Sequence, residues 1–223
     1  MRLTTGDLIY EKLRNEILYL KREPGAELNL TELCGEFDVS RSPVRDALVR
    51  LREDGLVDLR PQRGCRVTKI DLGRVYEELF LRQALEKGVL ERYKPLVKQS
   101  DLARMEYYIQ LQREAVGSED LQPFFDALDS IHAVFYHSTG LDRIWELIQS
   151  ETGNHRRLRA LYMKEQKGLE RTIDGQVELV AALKAGDFGR ASSLEAMAMD
   201  VSEEQIAQIL DSYPEYFTTR RTE

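Results

Sequence analysis

The stretch Val39-Ser-Arg-Ser-Pro-Val-Arg-Asp-Ala-Leu-Val-Arg-Leu-Arg-Glu-Asp54 constrains this chain more than any other. It combines a helix start, an apolar stripe and a basic face. Ser40 or Ser42 can cap the N-terminus, and Pro43 falls in the first turn, where a missing backbone N–H costs nothing. Val44, Ala47, Leu48 and Leu51 follow the i, i+3, i+4, i+7 pattern, so one side is buried. The other side carries Arg41 and Arg45 one turn apart, with Arg52 two turns beyond Arg45. Guanidinium groups at the exposed end of a short helix suit a major groove, where they grip phosphates or read guanine edges. Alone, the face could equally be a solvated one.

The flanking residues shift that balance. Asn29 to Phe37 reads as a short helix with an Asn29/Glu32 capping start, followed by a tight connection at Asp38. Gly55 stops the second helix, and Leu56 to Arg60 then alternates apolar and polar residues as a half-buried strand does. Pro61 to Gly64 is a turn, and Cys65 to Ile70 alternates again. Thr5 to Leu20 adds an amphipathic helix behind the pair. The pattern is a winged helix-turn-helix of three helices plus a β-hairpin wing. Its candidate DNA contacts are Thr31, Arg41, Ser42 and Arg45, with Gln62, Arg63 and Gly64 at the wing tip reaching the minor groove or backbone.

Pro24-Gly25-Ala-Glu-Leu28, Val39 to Leu51, Gly55-Leu56-Val57 and Arg63-Gly64-Cys-Arg-Val67 stand in the order of a known pattern. Over residues 8 to 70 the chain resembles the GntR transcription regulators. A reader of this kind is expected to bind a double-stranded DNA operator.

Net charge, −7 over 223 residues, opposes nucleic-acid binding only if it is evenly spread. Residues 1 to 70 hold 13 Lys+Arg against 12 Asp+Glu, a net of +1, and residues 71 to 223 hold 19 against 27, a net of −8. A near-neutral reader binds DNA with modest non-specific affinity, which pairing two readers in a dimer offsets by effective concentration. No apolar run is long enough to span a bilayer, and the N-terminus lacks the apolar core of a signal peptide, so no membrane partner and a cytoplasmic location are expected. Cys34 and Cys65, without a CxxC, read as reduced packing residues.

From about Val75 the chain shows only successive amphipathic helices, with spans read as 75–93, 99–116, 120–138, 141–163, 169–185 and 187–212 and joints at Gly140, Gly168 and Gly186-Asp187. The fold class is therefore mainly α: a winged helix-turn-helix over residues 1–70, followed by an all-α bundle over residues 71–223. Leu81-Arg-Gln-Ala-Leu-Glu86, Asp129-Ser-Ile-His132, Ser138-Thr-Gly140 and Leu183-Lys-Ala-Gly-Asp187 with Ala191 make this half similar to the FadR C-terminal (FCD) effector domain. That resemblance implies a homodimer that binds a small palindrome and responds to a small carboxylate-type metabolite, as a repressor.

Arg82 lies in an apolar context, where it needs an anionic partner: an internal acid such as Glu86, or a ligand carboxylate accepting a bidentate pair. His132 and Asp129 share a helix that faces the bundle interior, and Gln176 joins them as an effector candidate through the resemblance. His137 and His155 have no partner at ligand spacing. Arg156, Arg157 and Arg159 read as a solvated cluster or a subunit contact. A Gly-rich phosphate loop, a His-Glu-x-x-His and a Gly-x-Ser-x-Gly are all absent, so enzyme chemistry is not expected.

Many domains of this type resemble one another in holding a divalent metal with an Asp, a His four residues later and two later His. Aligning on His132 and Asp187 puts Leu128, Gln176 and Ala198 at the other three positions. Asp129 is one residue off, a rotation of about 100° around a helix. The expectation is a pocket with no metal and no cofactor, in which Arg82, His132 and Gln176 contact the effector directly. Two alternatives stand beside it: a metal-dependent sensor in which Asp129 shifts to join an unidentified acid, and a helical small-molecule binder with a vestigial reader.

Overall fold

The computed structural model describes residues 4–60, 64–165, 168–199 and 201–218. Helix α1 (Thr5–Leu18) starts on a capping box in which Thr4 and Asp7 each accept from the other's backbone N–H, and it buries Ile9, Leu13 and Ile17. Helix α2 (Leu30–Phe37) is capped by Asn29, whose side chain accepts from the N–H groups of Thr31 and Glu32. Asp38 ends it at φ +51°, a left-handed conformation that a short polar side chain tolerates. Helix α3 (Arg41–Glu53) buries Val44, Ala47, Leu48 and Leu51 as the periodicity predicts; Ser40 occupies the N-cap without a side-chain cap bond. The stripe packs on α1 and α2.

Strands β2 (Val57–Arg60) and β3 (Gly64–Val67) form the antiparallel hairpin, with Asp58 opposite Arg66 and Leu59 opposite Cys65. A short strand β1 (Glu27–Leu28) pairs with the other edge of β3 and makes the order β1-β3-β2. Two residues are too few for alternation to show, so pairing with β3 alone creates that strand. Gln62 and Arg63 lie outside the described residues, while Gly64 opens β3 at φ +85°. Cys34 and Cys65 are free thiols, and burial pushes the Cys65 thiol up to about 11, as suits a packing residue.

The second half is helical throughout among the described residues: α4 (Leu72–Tyr93), α5 (Gln99–Ala115), α6 (Gln122–Thr139), α7 (Asp142–Glu151), α8 (Gly153–Glu165), α9 (Gly168–Ala185), α10 (Phe188–Met199) and α11 (Glu203–Ser212). Two spans expected to be single helices are each a pair. The first breaks at Thr152, and Gly153 then starts α8 so close to the reader that a Cβ there would lie 3.0 Å from Leu56 Cδ2. The second restarts at Ser202, which forms a capping box with Gln205. Asp187 accepts from the N–H of Arg190 and caps α10, as expected. No helix among the described residues is long and apolar enough to cross a membrane.

Helix α8 ties the halves together. Arg157 donates to the Thr68 carbonyl (2.5 Å) and to Asn154 Oδ1 (2.9 Å), and Asn154 in turn accepts from the N–H of Asp71 and donates to Glu78. The chain end adds a strap: Ile70 N–H donates to the Tyr216 carbonyl, and Thr218 N–H returns a bond to the Ile70 carbonyl.

Candidate functional site

Two surfaces carry chemistry. On the reader, Arg41, Ser42 and Arg45 are exposed on the side of α3 opposite the buried stripe, and Thr31 is exposed on α2. Four other arginines of the reader are tied down, Arg52 not among them: Arg22 to Glu16 and Glu36, Arg50 to Asp7 and over the Tyr10 ring, Arg60 to Asp58, and Arg66 to Glu27. Among the described residues no ion pair involves Arg41 or Arg45. A cleft of about 730 Å³ runs between α3 and the sheet, with Arg45 on one wall and Arg60 and Gly64 on the other.

The second surface is internal. Arg82 (2 % exposed) on α4 donates from Nε to Glu86 Oε1 at 2.8 Å, so the internal acid is its partner; its Nη2 has none. His132 (1 %) on α6 places Nδ1 2.6 Å from Glu195 Oε1 of α10 and 3.7 Å from Glu86 Oε2. Gln176 is buried on α9 with Oε1 unpaired. Burial pushes the Glu86 carboxyl up to about 7 against the pull of Arg82, and it pushes His132 down to about 4. A cavity of about 190 Å³ between α4 and α10, lined by Glu86, Lys87, Ser192 and Glu195, opens toward this group.

Asp129 takes a different place from the one expected. It holds Arg156, which also donates to Tyr19 Oη at 2.9 Å, and Tyr19 stacks on Phe125. Burial alone would raise the Asp129 carboxyl, but Arg156 and Arg82 overcome that and hold it below its usual range. The expectation of a solvated Arg156, Arg157 and Arg159 cluster is overturned: all three are buried. Arg156 is neutralised by Asp129, Arg157 is satisfied by backbone carbonyls, and Arg159 is pushed down to about 10 by burial, with Arg82 adding to the push. Asp129 reaches Arg156 from α6 and Thr68 reaches Arg157 from the segment after β3, which no local spacing shows. His137 pairs with Asp142 at the surface.

The family model for bacterial regulatory proteins of the gntR family matches residues 5–67, and the FCD domain model matches residues 77–201. An HTH-type transcriptional regulator in an unstable DNA locus of Streptomyces ambofaciens is 31% identical over 95% of this chain and 89% of its own length. This chain belongs to the GntR family. The HTH-type transcriptional repressor RspR of Escherichia coli K12 is 28% identical over 94% of this GntR-family chain and 92% of its own length. Among solved structures, a putative GntR regulator from Rhodococcus sp. RHA1 superposes at TM-score 0.75 with 26% identity, covering 93% of this chain and 98% of that one. E. coli McbR/YncC shares the fold at TM-score 0.75 and 21% identity, over 95% of this chain and all of that one. These families and relatives are transcription regulators and not enzymes, and so is this GntR-family chain.

Whether its FCD half suits a metal turns on His132 and on donors that lie outside the family's positions. Leu128 is core, and Gln176 and Ala198 offer no imidazole. Yet Glu86, His132 and Glu195 each place one ligand atom within 4.8 Å of the others. The premise that His132 stands as a lone donor therefore fails. Glu195 lies one turn before Ala198 on α10, and no aligned position marked it.

Proposed function

We propose that this GntR-family protein is a ligand-responsive repressor. In this reading residues 1–70 read DNA, residues 71–223 sense and dimerise, and the homodimer acts in the cytoplasm on a palindromic operator. A small carboxylate-type metabolite, entering between α4 and α10, meets the free Nη2 of Arg82 with Arg159, His132 and Gln176 around it. A buried arginine edge without a partner favours an anion that supplies one.

The observation that carries the reading is the position of Arg156. It bonds Asp129 at the wall of the buried site and Tyr19 at the end of α1, on which α3 packs. A ligand that rearranges the charges around Arg82 changes what holds Arg156, and so biases how the reader is seated. Repressor names among the relatives support release of DNA as the output. Dimerisation is supported by α4, whose outer face presents Tyr76 (45 % exposed) and Phe80 (75 %) in line with Ala84 and Gly88 at four-residue spacing.

Selection from a random-sequence DNA pool followed by gel shift tests this function. The wild-type protein should select two half-sites related by a dyad. Arg45→Ala should weaken that operator by about 1–3 kcal/mol at matched salt and leave the fold intact, because Arg45 is exposed and unpaired. Failure to select a palindrome would favour a vestigial reader, and unchanged affinity in Arg45→Ala would remove the α3 face from the interface.

A further inference from the structure

We propose that residues 213–218 are a latch that sets the angle of the DNA reader on the helical half, with Phe217 and Thr218 as positioning residues for operator binding. The inference rests on reading the protein as a homodimer on a palindrome. Residues 68–71 link β3 to α4. The two ends of that link are held by α8: the Thr68 carbonyl accepts from Arg157, and the Asp71 N–H donates to Asn154 Oδ1. Its middle is held by the latch. Ile70 N–H donates to the Tyr216 carbonyl at 2.8 Å, and the Ile70 carbonyl accepts from Thr218 N–H at 3.0 Å, which makes a parallel bridge between Ile70 and Phe217. Ile70 and Phe217 are both buried.

Both backbone polar groups of Ile70 are therefore satisfied by a segment 148 residues further along, as counted to Thr218. A buried N–H or carbonyl without a partner is costly, so releasing the bridge opens the link to water. The latch also touches both halves. On the reader side, the Tyr216 hydroxyl lies beside the Glu23 carboxylate in the loop between α1 and β1. On the helical side, Tyr213 at the end of α11 stacks on Tyr216 at 5.2 Å, and Gln205 of α11 donates to Tyr162 Oη of α8 at 2.8 Å. The reader is tied to α8 directly through Arg157 and a second time through α11 and the bridge. Two separated attachments fix a rotation that one leaves free. Operator spacing reports that rotation, because each base pair added between half-sites turns one of them by about 35°.

The test compares the full chain with T218P and F217A. Phe217 is extended, at φ −105° and ψ 151°, as a residue before proline prefers, so T218P removes the donor at an exposed position without straining its neighbour. F217A removes the buried anchor; if circular dichroism shows that it does not fold, T218P decides. L102A, buried on α5 where that helix packs on α6 and α9, controls for lost stability. Limited trypsin digestion read by mass spectrometry follows cleavage after Lys69, whose side chain is exposed while the flanking backbone is bonded. That cleavage should rise at least about tenfold in both latch variants and not in L102A, because it follows the population in which the link is open. Gel shift then compares the selected operator with the same operator lengthened by two base pairs between its half-sites. The wild type should prefer the first by roughly 100-fold or more, the gain from engaging both readers at once, and the latch variants by less than about tenfold, with single half-site affinity unchanged. Unchanged cleavage at Lys69 in the latch variants would overturn the latch. Raised cleavage with an undiminished spacing preference, or the same loss of preference in L102A, would overturn its positioning role. If the wild type selects no palindrome, the regulator reading falls, and cleavage at Lys69 still decides the latch.

Discussion

Arg156→Met is expected to lower stability by about 3 kcal/mol, the low end of the range for breaking a buried ion pair, because Asp129 keeps 18 % of its side-chain surface. The loss comes from what stays behind. Asp129 keeps its charge without its counter-ion, Tyr19 Oη loses a donor, and so does Gln149 Oε1. For a chain of this size the melting temperature should fall by roughly 6–12 °C. The Asp129 carboxyl is held below its ordinary value of 3.8, so this contribution is present above that pH and is lost as pH falls through the lowered value. The gap between wild type and variant should therefore narrow below about pH 4. Pairing Arg156→Met with Asp129→Leu should recover much of the loss, since no uncompensated charge then remains. A single variant within about 0.5 kcal/mol of wild type, as for an ordinary surface substitution, would mean that Arg156 does not bridge Asp129 to the reader.

Phe80→Glu should turn the proposed dimer into a monomer and weaken operator binding by roughly 10²–10⁴-fold, the factor that two linked readers gain from effective concentration. In a twofold interface the same patch meets itself, so the new carboxylates are brought together on a chain already at −7. Phe80 is 75 % exposed, so the monomer's own stability should change by less than about 0.5 kcal/mol. Sedimentation and gel shift on the same preparations check this. A variant that remains dimeric at micromolar concentration would move the interface off α4, and a monomer with undiminished affinity would refute the need for pairing.

The sequence by itself determined what is decided within a turn or two of helix or one hairpin. The α3 stripe, the Asn29 and Asp187 caps, the Gly55 stop and the hairpin strands on either side of residues 61–63 all depend on neighbours a few positions away, and each formed as expected. Because those signals occur in a family order, the regulator class was legible from them as well. Only the tertiary structure decided which buried charges meet. Glu195 lies on a helix whose local pattern marks it as just another acid, and it acquires its place from His132 and Glu86 across the bundle. Arg156, Arg157 and Arg159 look like a solvated run, yet Arg156 is buried against Asp129 and Arg157 against the Thr68 carbonyl, both delivered by other parts of the fold. The helix break at Thr152 and the strand at Glu27–Leu28 have the same origin: each is set by packing or pairing with a distant segment. Periodicity reports which face of an element leaves water; the identity of the partner in the dry interior is a property of the packed chain, and there an unpaired charge is costly enough to decide the arrangement.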